Sequence, residues 1–391
     1  MIRRLIDTKL KALAKVFPAI AVIGPRQSGK TTLIKSIFPK KSYVLLEDPD
    51  TLEFAEKDPR GFLGQFPDGA VLDEAHRAPK IFSYLQGILD KYKKAGMFII
   101  SGSSNFLLME KITQSLAGRI AILKLLPFSL PELNKAKISY TTPEQYLFNG
   151  MFPRLYDQRV SPRDLFSNYV QTYLERDLRL FKNIQNLSVF HTFLKMLAHR
   201  TGQLLNLSSL AYDCGITHNT AKAWISLLEA SFIIFILKPF HRNFKKRLVK
   251  MPKVYFCDTG LAAYLADIRN IEQMQNHPLK GSLFESFVIS ELLKERFNKG
   301  EQPDIYFWRD KLGHEIDVII ERGKNISAVE IKSGSTITPD YFKNLEYLTK
   351  ITGKALINNY IVYGGDQEQR RSDAQVFAWR NIDKLFNKLR Q

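Results

Sequence analysis

Cysteine is nearly absent: Cys214 and Cys257 are the two in 391 residues, far apart from each other and without the paired spacing of a metal site. That excludes a disulfide scaffold and a zinc-ribbon architecture, and it fits a reducing cytoplasm. Long apolar runs are also missing. Nothing approaches the roughly 18 uninterrupted apolar residues of a membrane span, and the opening MIRRLIDTKLKALAKVFPAI is broken by charge before a signal-like core can form. No stable membrane insertion is expected. Acidic residues are in short supply, 39 Asp and Glu against 57 Lys and Arg, for a formal net charge of +18. That excess favours contact with a polyanion, DNA ahead of RNA, although a cluster such as 242–247 reads equally as a solvated basic loop.

The chain is too long for one ordinary core, and its 45% apolar content can fill two or three. Residues 1–17 form an amphipathic pattern that predicts a leading helix packed beside the domain that follows. Next comes the apolar run Ala19–Ile23, and directly after it Gly24, Pro25, Arg26, Gln27, Ser28, Gly29, Lys30 and Thr31, which fit G-x-x-x-x-G-K-[ST], with Thr32 beyond. A strand, a Gly-rich turn and a helix point backbone N–H groups and the positive helix end at a polyphosphate. Lys30 reaches the β and γ phosphates and Thr31 holds Mg²⁺, so ATP and Mg²⁺ are the expected ligands.

A second apolar strand, Ala70–Leu72, ends in Asp73 and Glu74. Asp73 suits Mg²⁺, and Glu74 suits a base that orients and deprotonates the attacking water. A third strand, 97–100, runs into Ser103, Ser104 and Asn105, polar candidates for sensing the γ phosphate; Asn105 reads also as a helix cap. Arg119 follows Leu116-Ala-Gly just before a further strand at 120–126. At a domain edge it reads either as an arginine finger for a neighbouring subunit or as a surface arginine after a glycine C-cap.

GPRQSGKTTL, VLDEAHRAP, FIISGSSNFLL and SLAGRI, with YLERDL at 173–178 and FCDTGLAAYL at 256–265, closely resemble a prokaryotic AAA-type (AAA_14-like) ATPase family whose members carry a C-terminal DUF4143-type domain. The resemblance runs through almost the whole chain. It implies an ATPase of the AAA superclass with Lys30 and Thr31 in the loop, Asp73 and Glu74 in the acid pair, and Arg119 in the finger position.

From about 130 to 240 the apolar spacing turns helical. Arg176 and Arg179, on the pattern Tyr169–Phe181, read either as nucleotide contacts or as a salt-bridged face. Leu207–Asp213, a turn at Gly215 and a helix capped by Thr217 that carries Ala221, Trp224, Ile225 and Leu228 outline a helix-turn-helix, with 232–237 as a wing strand. His218, Asn219 and Lys222 would face a major groove, but one lysine is few for groove binding.

The last third brings acids together. Glu285 sits in the first turns of a helical stretch beginning at Gly281. Glu315–Glu321 and Ile326–Lys332 read as a hairpin, and strand alternation puts Asp317, Glu330 and Lys332 on one face. Glu285, Asp317 and Glu330 are all oxygen donors that suit Mg²⁺, or Mn²⁺ in its place, while Lys332 is placed to activate a water. The layout resembles the PD-(D/E)xK nucleases, mapping onto Asp317 and Glu330-Ile-Lys332 with Glu285 as accessory acid; Ile316 stands where the usual proline would be. An exposed ion-paired sheet face is the plainer reading. Tyr306, Phe307 and Trp308 read as core rather than as base-stacking rings, and His314 lies near the cluster.

These readings combine into an α/β chain in three parts: an AAA-type P-loop ATPase domain at 1–155, a helical and winged-helix region at 156–245, and a restriction-endonuclease-like α/β domain at 246–391. The expected protein is a Mg²⁺-dependent ATPase, catalytic residues Glu74, Arg119, Asp317, Glu330 and Lys332, that works as a homo-oligomer in the cytoplasm and acts on nucleic acid or is regulated by it. A regulatory or assembly ATPase with a non-catalytic nuclease-like domain is the alternative, and a P-loop kinase fits the acid pair less well.

Overall fold

The computed structural model describes residues 2–102, 109, 112, 114–174, 186–240, 249–323, 325–352 and 357–390. The chain forms two compact units. The first comprises Met1–Phe128 with Ser226–Ile233 and Arg296–Gln302; the second comprises Ser129–Ile225, Ile234–Glu295 and Pro303–Gln391.

Five parallel strands make the sheet of the first unit: β1 (Ala19–Ile23), β2 (Ser42–Leu45), β3 (Ala70–Asp73), β4 (Phe98–Gly102) and β5 (Ile120–Lys124), in the order β2-β3-β4-β1-β5. β1, β3 and β4 are buried along their whole length, which is why they read as unbroken apolar runs rather than as alternation. The leading helix is shorter than its pattern, Asp7–Leu13, but it packs as expected: Ile6 and Leu10 join Ile20, Val22, Leu33 and Ile99 in one core. A late segment of the chain also belongs here. Lys124 Nζ lies 4.9 Å over the ring of Phe297, and a Cβ on Gly300 would stand 3.3 Å from Leu123 Cδ2.

The second unit opens with helices from Leu130 onward. Leu187–Ala198, Leu207–Asp213 and His218–Ala230, the last of which passes at Ser226 into the segment counted with the first unit, precede a two-stranded antiparallel sheet of β6 (Ile234–Leu237) and β7 (Lys253–Phe256). The expected turn is present at Gly215, φ 63°, and Thr217 Oγ1 accepts the Thr220 N–H at 3.1 Å. Trp224 packs edge-on against Phe190 and Phe193, which holds the helices together. Beyond helix Lys280–Asn298 comes a six-stranded mixed sheet of β8 (Tyr306–Arg309), β9 (Glu315–Arg322), β10 (Asn325–Lys332), β11 (Ile357–Tyr363), β12 (Gln369–Arg370) and β13 (Gln375–Ala378), in the order β12-β13-β11-β10-β9-β8. The hairpin of β9 and β10 matches the sequence reading, and Phe307 and Trp308 are fully buried, as core. Among the described residues no helix is long and apolar enough to cross a membrane.

The motif at 256–265 is a structural joint. Asp258 is buried, caps helix Thr259–Leu265 through the Leu261 N–H at 3.0 Å, and accepts the Met151 N–H at 2.7 Å. Glycine is required on both sides: a Cβ on Gly150 would lie 2.3 Å from Asp258 Oδ1, and one on Gly260 would lie 2.7 Å from the Asn149 carbonyl oxygen. Burial raises the Asp258 pKa against those backbone donors. Asp258→Ala should destabilise the second unit by about 2–4 kcal/mol, because a cap is lost and a buried N–H is left unpaired, measured as the shift of that unit's urea unfolding transition. Asp258→Asn keeps an acceptor and should cost less. A folded pKa above 3.8 stabilises fully below the unfolded value and loses that contribution as pH rises through the folded value. The Asn variant should therefore gain on the wild type as pH rises from about 4.

Candidate functional site

At the carboxyl edge of the five-stranded sheet, the turn after β1 meets the ends of β3 and β4. The turn lies so close to the chain leaving β5 that a Cβ on Gly24 would stand 2.1 Å from the Leu125 carbonyl oxygen, so no other residue fits. Gly29, φ 91°, turns the chain into helix Lys30–Ile37. Lys30 is buried and its Nζ donates to the carbonyl oxygens of Gly24 and Pro25 at 3.0 and 2.8 Å, so it lies across the loop. Ser28 Oγ is buried inside the turn without a hydrogen-bond partner among the described residues, a polar atom that a bound phosphate oxygen can satisfy. The residues fit a polyphosphate.

Asp73, at the end of β3 and 2% exposed, is the hub of the site. Thr31 Oγ1 donates to its Oδ2 at 2.7 Å and the Tyr43 hydroxyl to the same oxygen at 2.6 Å; the Ser101 hydroxyl and, at 3.1 Å, the Glu74 N–H donate to Oδ1. Burial works to raise the Asp73 pKa, but the donors from Ser101, Tyr43, Thr31 and Glu74 outweigh it and hold the group below its ordinary value, as a carboxylate. Thr31 and Asp73 thus stand in contact, two oxygen-bearing side chains side by side at the end of β3. Glu74 is held in the left-handed region at φ 53°, with His76 Nδ1 3.3 Å from its carboxylate. Such a conformation is rare for a glutamate and turns it away from the line of the strand.

Arg119 precedes β5 at the opposite, amino edge of the sheet, where its carbonyl accepts the Ala19 N–H. Its guanidinium grips Asp90 through two bonds, at 2.5 and 2.9 Å. It therefore stands away from the phosphate loop of its own chain by the five-residue length of β1, roughly 16 Å at strand rise. Ser103, Ser104 and Asn105 lie outside the described residues, as do Arg176, Arg179 and the basic cluster 242–247. Arg26, Gln27 and Thr32 complete the loop and first turn. Sequence reasoning missed three residues here, Ser101, Tyr43 and Arg4; Ser101 lies at the end of β4, just before the polar run at 103–105 that drew the assignment. Tyr43 comes from β2 with nothing to mark it. Arg4 is buried, donates to the Ser28 carbonyl at 2.8 Å and the Leu126 carbonyl at 2.6 Å, and so ties the phosphate loop to the chain beyond β5. No pattern separates it from Arg3.

The second unit gathers charges of both signs. Continuing the β9–β10 register sets Asp317 opposite Glu330. Asp317 accepts the Ile331 N–H at 2.7 Å, and Lys332 Nζ lies 2.5 Å from Glu330 Oε2. Glu285, Glu315 and Asp317 each bring a carboxylate oxygen within 4.8 Å of the others; Glu330 is not in that trio, and Glu315 takes the place the sequence reading gave it. Burial and then Asp317 push Glu285 up to about 7, against Lys253 and Tyr255, and push Glu330 up to about 8, against Lys332. Lys253, from β7, was missed: its buried ammonium sits 2.9 Å from Glu285 and in contact with Glu315, while the Tyr255 hydroxyl donates to Glu285. Burial opposes its charge, but Glu285, Asp317 and Glu315 outweigh that and raise its pKa. The carboxylate set is all oxygen and suits Mg²⁺ or Mn²⁺, but the Lys253 ammonium already sits against two of its members. His218, Asn219 and Lys222 are exposed on their helix, and His314 pairs with Asp310 at 3.1 Å and stacks on Tyr347 at 3.8 Å.

Residues 16–134 match the family described as AAA domain, residues 140–272 a domain of unknown function (DUF8612), and residues 280–382 a domain of unknown function (DUF4143). Uncharacterized proteins of Mycobacterium bovis and Mycobacterium tuberculosis are each 27% identical over 98% of this chain and 86% of their own length. An uncharacterized protein of Methanocaldococcus jannaschii is 22% identical over 79% of this chain and 73% of its own. Among solved structures, the Walker-type ATPase of Pyrococcus abyssi is 15% identical with a TM-score of 0.45, covering 68% of this chain and 96% of that one. The Thermotoga maritima RuvB Holliday junction branch migration motor is 16% identical with a TM-score of 0.29, covering 61% and 92%. The chain carries an ATP-hydrolysing AAA-type domain, a helical middle region and a distinct α/β DUF4143 domain.

Lys30→Ala should abolish ATP binding, whereas Glu74→Gln should retain it and lower phosphate release about 100-fold or more. Equilibrium nucleotide binding and a phosphate-release assay on the same preparations check both.

Proposed function

We propose that this chain is an ATPase whose cycle runs between neighbouring copies and controls a nuclease-like C-terminal domain that engages nucleic acid, DNA ahead of RNA. The observation that carries the reading is the Thr31–Asp73 contact at the end of β3, beside Lys30 and Glu74. Lys30 and the N–H groups of its loop bind the β and γ phosphates. Thr31 and Asp73 hold Mg²⁺, which when bound neutralises charge on the phosphoryl oxygens. Glu74 accepts a proton from the water that attacks the γ phosphorus as the bond to the β,γ-bridging oxygen breaks. Tyr43 and Ser101 keep Asp73 ionised and aimed.

Arg119, at the edge away from its own loop, serves a neighbour's γ phosphate, and Asp90 holds it between encounters. In the second unit, Glu285, Glu315 and Asp317 hold Mg²⁺ or Mn²⁺, and Lys332 positions the water for phosphodiester attack. A second reading, a regulatory or assembly ATPase with a non-catalytic C-terminal domain, is favoured by one observation: Lys253 already neutralises Glu285 and Glu315.

Arg119→Ala should cut ATP turnover about 1,000-fold or more with little change in ATP affinity. Mixing it with Lys30→Ala, itself inactive, should restore part of the turnover, because the intact finger of one then meets the intact loop of the other. No recovery in mixed assemblies that size measurement shows to form would count against a finger in trans. For the second unit, single- and double-stranded DNA and RNA are offered with Mg²⁺ or Mn²⁺. Cleavage lost in both Asp317→Ala and Lys332→Ala supports the nuclease reading; cleavage unchanged in Asp317→Ala, or absent from the wild type, supports the assembly reading.

A further inference from the structure

We propose that the carboxyl edge of the six-stranded sheet holds a separate binding site for a nucleoside phosphate, independent of the phosphate loop and of whether the acid cluster cleaves. β10, β11 and β13 run parallel to one another, so Lys332, Tyr363 and Ala378 all end at the same edge. The crevice beyond the carboxyl ends of parallel strands is where open α/β sheets take ligands. A cavity of about 660 Å³ opens there, lined by the turns that leave each of the three strands, 333–337, 364–367 and Trp379. That volume suits a single small ligand.

The cavity is built by glycine. A Cβ on Gly364 would stand 2.5 Å from the Ser333 carbonyl oxygen, and one on Gly365 would stand 2.5 Å from that of Ser335, so the two turns meet because these positions carry no side chain. The Gly364 N–H donates to the carbonyls of Lys332 and Gly334 at 3.0 and 3.1 Å and pins one turn to the other. Ser333, Ser335 and Thr336 line one wall with hydroxyls, and Trp379, Tyr363 and Ile337 supply apolar surface.

Charge identifies the ligand class. The lining carboxylates are already neutralised, Glu144 by Lys280 at 2.6 Å and Asp366 by Arg380 at 2.9 Å. Arg371 lines the cavity and is exposed, donates to Gln369 at 2.9 Å, lies 4.7 Å over the Phe342 ring and has no carboxylate partner among the described residues. An unbalanced guanidinium facing hydroxyls and glycine turns recognises a phosphate, while the apolar wall takes a ring. A nucleoside phosphate has both, and it can arrive as a free nucleotide or as one unit of a single strand.

The test uses the full-length Lys30→Ala chain, in which the phosphate loop no longer holds nucleotide. Binding of thymidine 5′-monophosphate and of a short 5′-phosphorylated oligothymidylate is measured by calorimetry before and after adding Arg371→Glu or Thr336→Trp. Both positions are exposed, so the fold is kept, checked by an unchanged melting transition and by unchanged ATP turnover when Lys30 is intact. Saturable binding that each substitution weakens about tenfold or more supports the site; binding of both probes assigns it to free nucleotides, and of the oligomer alone to a strand. No saturable binding of either probe, or equal affinity in both variants, overturns it. Asp317→Ala should leave this binding in place, which separates its outcome from that of the cleavage assay.

Discussion

A buried carboxylate at the end of a parallel strand is costly unless donors surround it, and the nucleotide unit is arranged to meet that constraint at Asp73. Its donors come from four places in the chain: Thr31 on the helix after the phosphate loop, Tyr43 on β2, Ser101 on β4 and the backbone of Glu74. Each bond fixes one neighbouring element relative to β3. The same bonds keep the group ionised, so the interactions that hold the edge of the sheet together also prepare it for a cation. Losing any one donor loosens the alignment of loop, acid and base together.

The second unit meets the constraint differently. Glu285, Glu315, Asp317 and Glu330 are answered by the cations Lys253, Lys332 and Arg309 as well as by the Tyr255 hydroxyl and the Ile331 N–H. Such a network is sensitive to the removal of any member, because a buried charge left alone costs more than the pair contributes. Single substitutions of these residues therefore report on folding as well as on chemistry, and the paired variants at 317 and 332 need a melting measurement beside the activity measurement.

How much of this was legible followed physical rules. β1 could be read to the residue and β3 to within one because both faces of a central parallel strand are buried and the phosphate loop and acid pair mark their ends. Asp317 and Glu330 could be placed on one face because the hairpin sets Arg322 opposite Asn325 and so fixes the register, although burial itself does not alternate there, Ile316 to Ile320 all being buried. Lys253 and Tyr255 were hidden, since β7 pairs with β6 and reaches Glu285 through tertiary contact that no local period records. Glu315 shares a face with Asp317 by the same alternation, but at the first position of its strand it drew no role from the sequence pattern. Arg4 and Tyr43 act through long-range contacts that a single sequence does not encode in any spacing. Contacts also divide the chain into two units, where the change in sequence character suggested three parts.

The two late returns of the chain to the first unit, at 226–233 and 296–302, bear on synthesis. A ribosome that has released Phe128 has delivered all five strands of the nucleotide sheet and both ends of its catalytic edge, but not Phe297 or Gly300, which lie against Lys124, Leu123 and Lys9. The unit that begins first is finished only after most of the second unit has been made. Its nascent form must wait, incomplete, through some 170 further residues, which at about 5–20 residues per second is a delay on the order of 10–30 seconds.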